Sequence, residues 1–150
     1  SMDPEPRDDV DVLCDEVVRE SLEETDLSVF RELQAGDILF FDGSHRSFAN
    51  TDVTVFFLEI LPRLKPNVLI HLHDVYLPYD YPPQLNDRFY NEQYLLAAML
   101  LAKGTSFEIA FPCFYYSLTS SYAERTADLW EALGIDGWGR SGGSFWIETR

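Results

Sequence analysis

Basic side chains are scarce in this sequence: 11 Lys and Arg stand against 26 Asp and Glu, a formal net charge of −15 over 150 residues. A chain of this charge repels a phosphate backbone, which recruits proteins through Lys and Arg, so nucleic acid and anionic membrane are excluded as expected partners. Cysteine is almost absent. Cys14 and Cys113 are too few and too far apart for a zinc site or a disulfide framework, and they read as reduced, buried thiols of a cytoplasmic protein. No apolar run reaches the roughly 20 residues that span a bilayer, and no basic-then-apolar segment opens the chain, so it reads as soluble and intracellular. Glycine is thin as well, with 8 residues and no glycine-rich stretch before Asp37.

What is present is apolar and aromatic. With 46% hydrophobic and 15% aromatic residues the chain holds enough material for one packed core, and its length fits one domain. Ser1-Met2 reads as a cloning scar, which leaves residues 3–150 as a single domain.

Asp3-Pro-Glu-Pro-Arg7 is proline-stiffened and polar, unfit for a helix or a central strand. A short helix is expected near Asp8 to Asp15, then a short strand to Leu22, and Asp26 caps a turn through Leu33 that Gly36 ends. Asp37-Ile-Leu-Phe-Phe-Asp42 is a continuous apolar run, the pattern of a strand buried on both faces. Asn50 or Thr51 caps a helix bearing Val53, Phe56, Phe57, Ile60 and Leu64 on one face, kinked at Pro62 and stopped at Pro66. The strand from Asn67 to His73 follows, and two strands joined by such a helix make a right-handed parallel βαβ unit. Beyond an irregular Tyr- and Pro-rich loop, Asp87 is expected to cap a helix from Arg88 to Lys103. Phe107 to Tyr116 reads as a strand, Ser121 to Glu124 as a capping box opening a helix to Leu133, and Ser144 to Glu148 as a last strand. The glycines from Gly137 to Gly143 read as a flexible turn.

Three segments together resemble a branch of the class I S-adenosylmethionine-dependent methyltransferases. They are Gly36-Asp-Ile-Leu-Phe-Phe-Asp-Gly-Ser-His45, Leu61-Pro-Arg-Leu-Lys-Pro-Asn-Val-Leu-Ile-His-Leu-His-Asp74, and Pro78-Tyr-Asp-Tyr-Pro-Pro83 with Tyr90-Asn-Glu-Gln-Tyr94. The resemblance implies a Rossmann-like α/β sheet, mostly parallel with an antiparallel last strand. It aligns the strands above with the fourth to seventh strands of that fold, and the weak strand before Leu22 with the third. The family's Lys-Pro-Gly-Gly turn is Lys65-Pro66-Asn67 here. The larger departure is the lack of a glycine-rich cofactor loop, so the domain is expected to lack its first two strands. S-adenosylmethionine is then the cofactor of the family, with an incomplete site in this chain.

Parallel strands present functional groups at their carboxyl ends. Asp42 and Asp74 end adjacent strands, so their carboxylates can share a hard cation such as magnesium or manganese, with His73 or His71 adding a nitrogen. The resemblance implies this metal role in O-methyltransferases acting on sugar or natural-product hydroxyls. The competing expectation is that both aspartates cap loops through backbone amides. His45, on the loop over the same crevice, is the candidate base for an acceptor hydroxyl, and Tyr79 and Tyr81 are candidates for an aromatic wall around the substrate. The expected function is the acceptor and metal half of an O-methyltransferase, inactive alone. The alternative is a non-catalytic interaction or oligomerisation module. An apolar strand left on an edge by the missing strands predicts a homodimer, or cover from the N-terminal segment.

Overall fold

The computed structural model describes residues 1–6, 9–102, 106–134 and 142–150, except the side chain of Ala123. Where apolar residues run together after Asp37, the chain forms β1 (Ile38–Phe41), and the Leu-Ile-His-Leu-His run forms β2 (Leu69–His73), paired in parallel with it. Between them Thr51 accepts a bond from the Thr54 amide and starts α1 (Asp52–Val55), which continues as a π turn over Phe56–Ile60 and a tighter turn over Leu61–Arg63 where Pro62 breaks the ladder. This is the expected βαβ unit. The later elements are α2 (Glu92–Leu101), β3 (Phe107–Pro112), α3 (Cys113–Ser117), α4 (Ser120–Ala132) and β4 (Ser144–Thr149).

The sheet runs in the order β1-β2-β4-β3, with β4 antiparallel to both neighbours. Three strands therefore share one direction and the last opposes them, as expected for the final strands of the fold. One face of the sheet is packed. Phe41, Ile70, Leu72, Phe145 and Ile147 meet Val53, Phe56, Phe57, Ile60, Leu61 and Leu96, with the Phe41 and Phe56 rings stacked 4.0 Å apart. The Thr149 hydroxyl donates to the Lys65 carbonyl and accepts from the Val68 amide, tying the end of β4 to the start of β2.

Several boundaries depart from expectation. Among the described residues no strand precedes Leu22: Val18 makes a single bridge with Met2, and its amide and carbonyl are taken by Ser1 and Asp3. The expected first helix shrinks to one turn at Asp11–Leu13, although Asp26 does accept from the Ser28 amide and open a turn at Leu27–Arg31. Asp87 does not cap α2. A tight turn over Pro83–Arg88 ends at Phe89, whose left-handed φ of 58° interrupts the helix, so α2 begins at Glu92. β3 stops at Pro112, after a register shift between Ile109 and Phe111, and Thr119 rather than Ser121 caps α4. The cysteines are free and half-buried rather than buried. The end of the expected helix at Lys103 and most of the glycine cluster from Gly137 lie outside the described residues.

β1 is an edge strand. Ile38 and Phe40 are 61% and 59% exposed, so the run expected to be buried on both faces buries only one. Among the described residues the N-terminal segment pairs with Val18 and adds no strand to this edge. Among the described residues no helix is long and apolar enough to cross a membrane.

Candidate functional site

Both parallel strands end in an aspartate, and the loop after β1 folds back over them. A Cβ on Gly43 would lie 2.3 Å from Asp52 Oδ2 and 2.8 Å from Phe41 Cζ, so the turn closes only without a side chain there. The Asp52 carboxylate accepts from the Ser44 amide and hydroxyl, each at 2.5 Å, and so serves as the cap that Asp42 was a candidate for. Freed from that role, Asp42 faces His45.

His45 adopts a left-handed φ of 59°, which turns its ring inward and its carbonyl toward the amino end of α2. That carbonyl accepts from the amides of Asn91 and Glu92, at 2.9 and 3.3 Å, and the Asn91 side chain accepts from the Ser47 amide. The loop is therefore clamped to α2. The ring is 5% exposed as a residue and lies 4.3 Å from the Tyr90 ring, with Nδ1 bonded to Glu92 Oε1 at 2.5 Å. Its other nitrogen, Nε2, is 3.2 Å from Asp42 Oδ1 and 3.9 Å from Asp74 Oδ2. One imidazole thus sits among three carboxylates.

Burial alone would lower the pKa of His45, but the bond to Glu92 and the charges of Glu92, Asp42 and Asp74 outweigh it and raise the pKa. For Glu92, 1% exposed, burial raises the pKa against the pull of His45. Both shifts make the pair keep a proton to higher pH than either group alone. Glu92 begins a ten-residue helix, where the amino-terminal dipole favours its negative charge. Its Oε2 is buried and finds no hydrogen-bond partner among the described residues.

Asp74 is reached by the Tyr76 hydroxyl, which donates to Oδ1 at 3.3 Å. Burial and the neighbouring Asp74 push the Tyr76 pKa up to about 12, so it remains a donor. A Cβ on Gly143 would lie 2.6 Å from the Tyr76 ring, so the start of β4 packs directly on this tyrosine. Tyr81 is packed among Tyr76, Tyr90 and Tyr94, and its hydroxyl accepts from the Gln93 amide; Tyr79 is 45% exposed and meets Phe114. Tyr90, rather than Tyr79, is the aromatic ring against His45.

The cation implied by the resemblance at Asp42 and Asp74 does not fit this arrangement. His45 Nε2 already engages Asp42 Oδ1 at 3.2 Å and lies 3.9 Å from Asp74 Oδ2, and His73 points its ring toward His71, with Nε2 3.9 Å from Asp74 Oδ1. Among the described residues no group of three or more His, Cys, Asp or Glu side chains is arranged to hold a metal ion. Among the described residues neither β1 nor β2 is followed by a glycine-rich turn.

Asp42, Asp74 and His45, which the sequence places over one crevice, lie together, and Glu92, which the sequence did not single out, joins them. The signal was the Asn91-Glu92 pair at a helix start, a place where a carboxylate is stabilised.

A family model described as a methyltransferase domain matches residues 6–75, just under half of the chain. The matched stretch contains Asp42, His45 and Asp74 but not Glu92, and it supports a methyltransferase-like function. No curated protein and no solved structure matches the chain.

Proposed function

We propose that this chain forms the acceptor side of an S-adenosylmethionine-dependent O-methyltransferase, with His45 as the base for a sugar or natural-product hydroxyl. The observation that carries the reading is the His45 ring, held on Nδ1 by Glu92 and turned on Nε2 toward Asp42 and Asp74. S-adenosylmethionine supplies the methyl group in the family. The acceptor approaches over Asp42 and Asp74, whose side chains are 34% and 28% exposed while the His45 side chain is only 6% exposed. Neutral His45 takes the hydroxyl proton on Nε2 while the Nδ1 proton stays with Glu92, and the nearby carboxylates stabilise the imidazolium that results. A raised pKa makes the neutral ring a stronger base, at the cost of a smaller neutral fraction below that pKa.

Calorimetric titration of S-adenosylmethionine into the chain tests the reading. Binding no tighter than millimolar is expected, since the described residues form no glycine-rich cofactor turn. A micromolar dissociation constant would overturn the assignment of this chain to the acceptor side.

A second reading, a non-catalytic association module, draws support from the open edge of β1 with Ile38 and Phe40 exposed. In that reading two copies pair through β1, as unprotected apolar edges recruit further strands. The two readings are compatible in one protein.

A further inference from the structure

His71 and His73 occupy alternate positions of β2 and therefore project from the same, open face of the sheet, away from the packed core. His71 lies between Phe40 and Trp146, with ring centroids at 4.4 and 4.7 Å. The two imidazoles are 5.6 Å apart by centroid and only 24° from parallel, and His73 Nδ1 is 3.4 Å from His71 Nε2. We propose that His71 and His73 form a two-nitrogen site for a borderline divalent cation, zinc foremost, on this open face.

The spacing carries the argument. Two nitrogens bound at about 2.0–2.1 Å to a tetrahedral zinc stand about 3.3 Å apart, close to the separation of these two atoms. The remote nitrogen of His73, Nε2, lies 3.9 Å from Asp74 Oδ1. A cation bound here takes the lone pairs of His73 Nδ1 and His71 Nε2, which face each other. Imidazole donors select zinc, copper or nickel over magnesium and calcium, so this site is chemically distinct from an oxygen cage at Asp42 and Asp74. The His73 side chain is 42% exposed, which gives a cation a path in and leaves coordination positions for water or an outside ligand. The site needs neither S-adenosylmethionine nor His45, so it stands or falls apart from the acceptor reading.

Zinc chloride titrated calorimetrically into the full chain, without S-adenosylmethionine, is the test, together with His71→Gln and His73→Gln. One zinc per chain is expected, with affinity weakened at least roughly tenfold in each variant. In the unsubstituted chain the imidazole resonances of His71 and His73 should shift on adding zinc while that of His45 stays in place. This second readout does not depend on a variant folding. Absence of zinc uptake overturns the proposal. So does uptake that leaves the His71 and His73 resonances unmoved, which would assign the metal to carboxylates or cysteines. Weakening by only one of the two substitutions overturns the pair as the site.

Discussion

The two faces of this sheet are built by the same strands, residue by alternate residue, yet one is sealed and the other open. On the sealed face Ile70, Leu72, Phe145 and Ile147 lie under Phe56, Phe57 and Leu61. On the open face Phe40, His71, His73 and Trp146 form a chain of ring contacts beside the exposed Ile38, and a polar cluster lies at the carboxyl ends of β1 and β2. The first face carries the apolar packing, and the second face and the strand ends hold the exposed and polar side chains.

The sharpest way to break that contrast is to truncate one aromatic on each face. Phe57→Ala, fully buried, should cost about 3–5 kcal/mol of unfolding free energy, whereas Phe40→Ala should stay within about 0.5 kcal/mol. Denaturant titration reads both. Equal losses would show that the open face is covered in solution.

Glu92 gives the next largest effect. Removing one member of a buried charge pair costs about 3–5 kcal/mol when the other is left unmatched, and Glu92→Gln, which keeps an acceptor for His45, should cost less than Glu92→Ala. The pH dependence has a definite sign. The pKa of His45 is raised in the folded chain, so its stabilising contribution is complete below the ordinary value of 6.5 and is lost as pH rises through the folded value. Glu92, raised from 4.5, acts in the same direction. The melting temperature should therefore fall as pH rises above 6.5, and His45→Gln should flatten that slope. A slope of opposite sign would mean that burial, not the carboxylates, governs the imidazole.

Association is a smaller effect and depends on concentration. If β1 pairs with a second copy, light scattering behind a sizing column should give a dimer mass at micromolar protein, and Phe40→Lys on the edge strand should return a monomer. The smallest change is expected from hard cations. Because His45 Nε2 already engages Asp42, magnesium or manganese should leave the melting curve where it is. A rise that Asp74→Asn abolishes would restore the oxygen-ligand site.

The βαβ unit was legible because its signals are local: apolar runs at Ile38 and Leu69, a Thr51 cap, and Pro62 as a break. Asp42, Asp74 and His45 were legible because strand ends and the loop above them are neighbours by construction of a parallel pair. Glu92 was not, since its partner lies 47 residues earlier and the contact exists only once α2 docks on the loop. The strand expected before Leu22 failed for a related reason. Val17 and Val18 offer β propensity, but among the described residues no strand pairs with them, and the Val18 amide and carbonyl bond Ser1 and Asp3 instead. The open face was partly legible: Ile38 to Phe41 reads as an edge only once the absence of preceding strands is weighed against the uniform apolarity of the run.

In the proposed function Glu92 and the two strand-end aspartates hold His45 as a proton carrier facing the acceptor. This role is tested most directly by an NMR titration of the His45 imidazole in the intact chain and in Glu92→Gln. The midpoint should lie above 6.5 and move down when Glu92 loses its charge. A midpoint at or below 6.5, or one that Glu92→Gln leaves in place, would contradict this role.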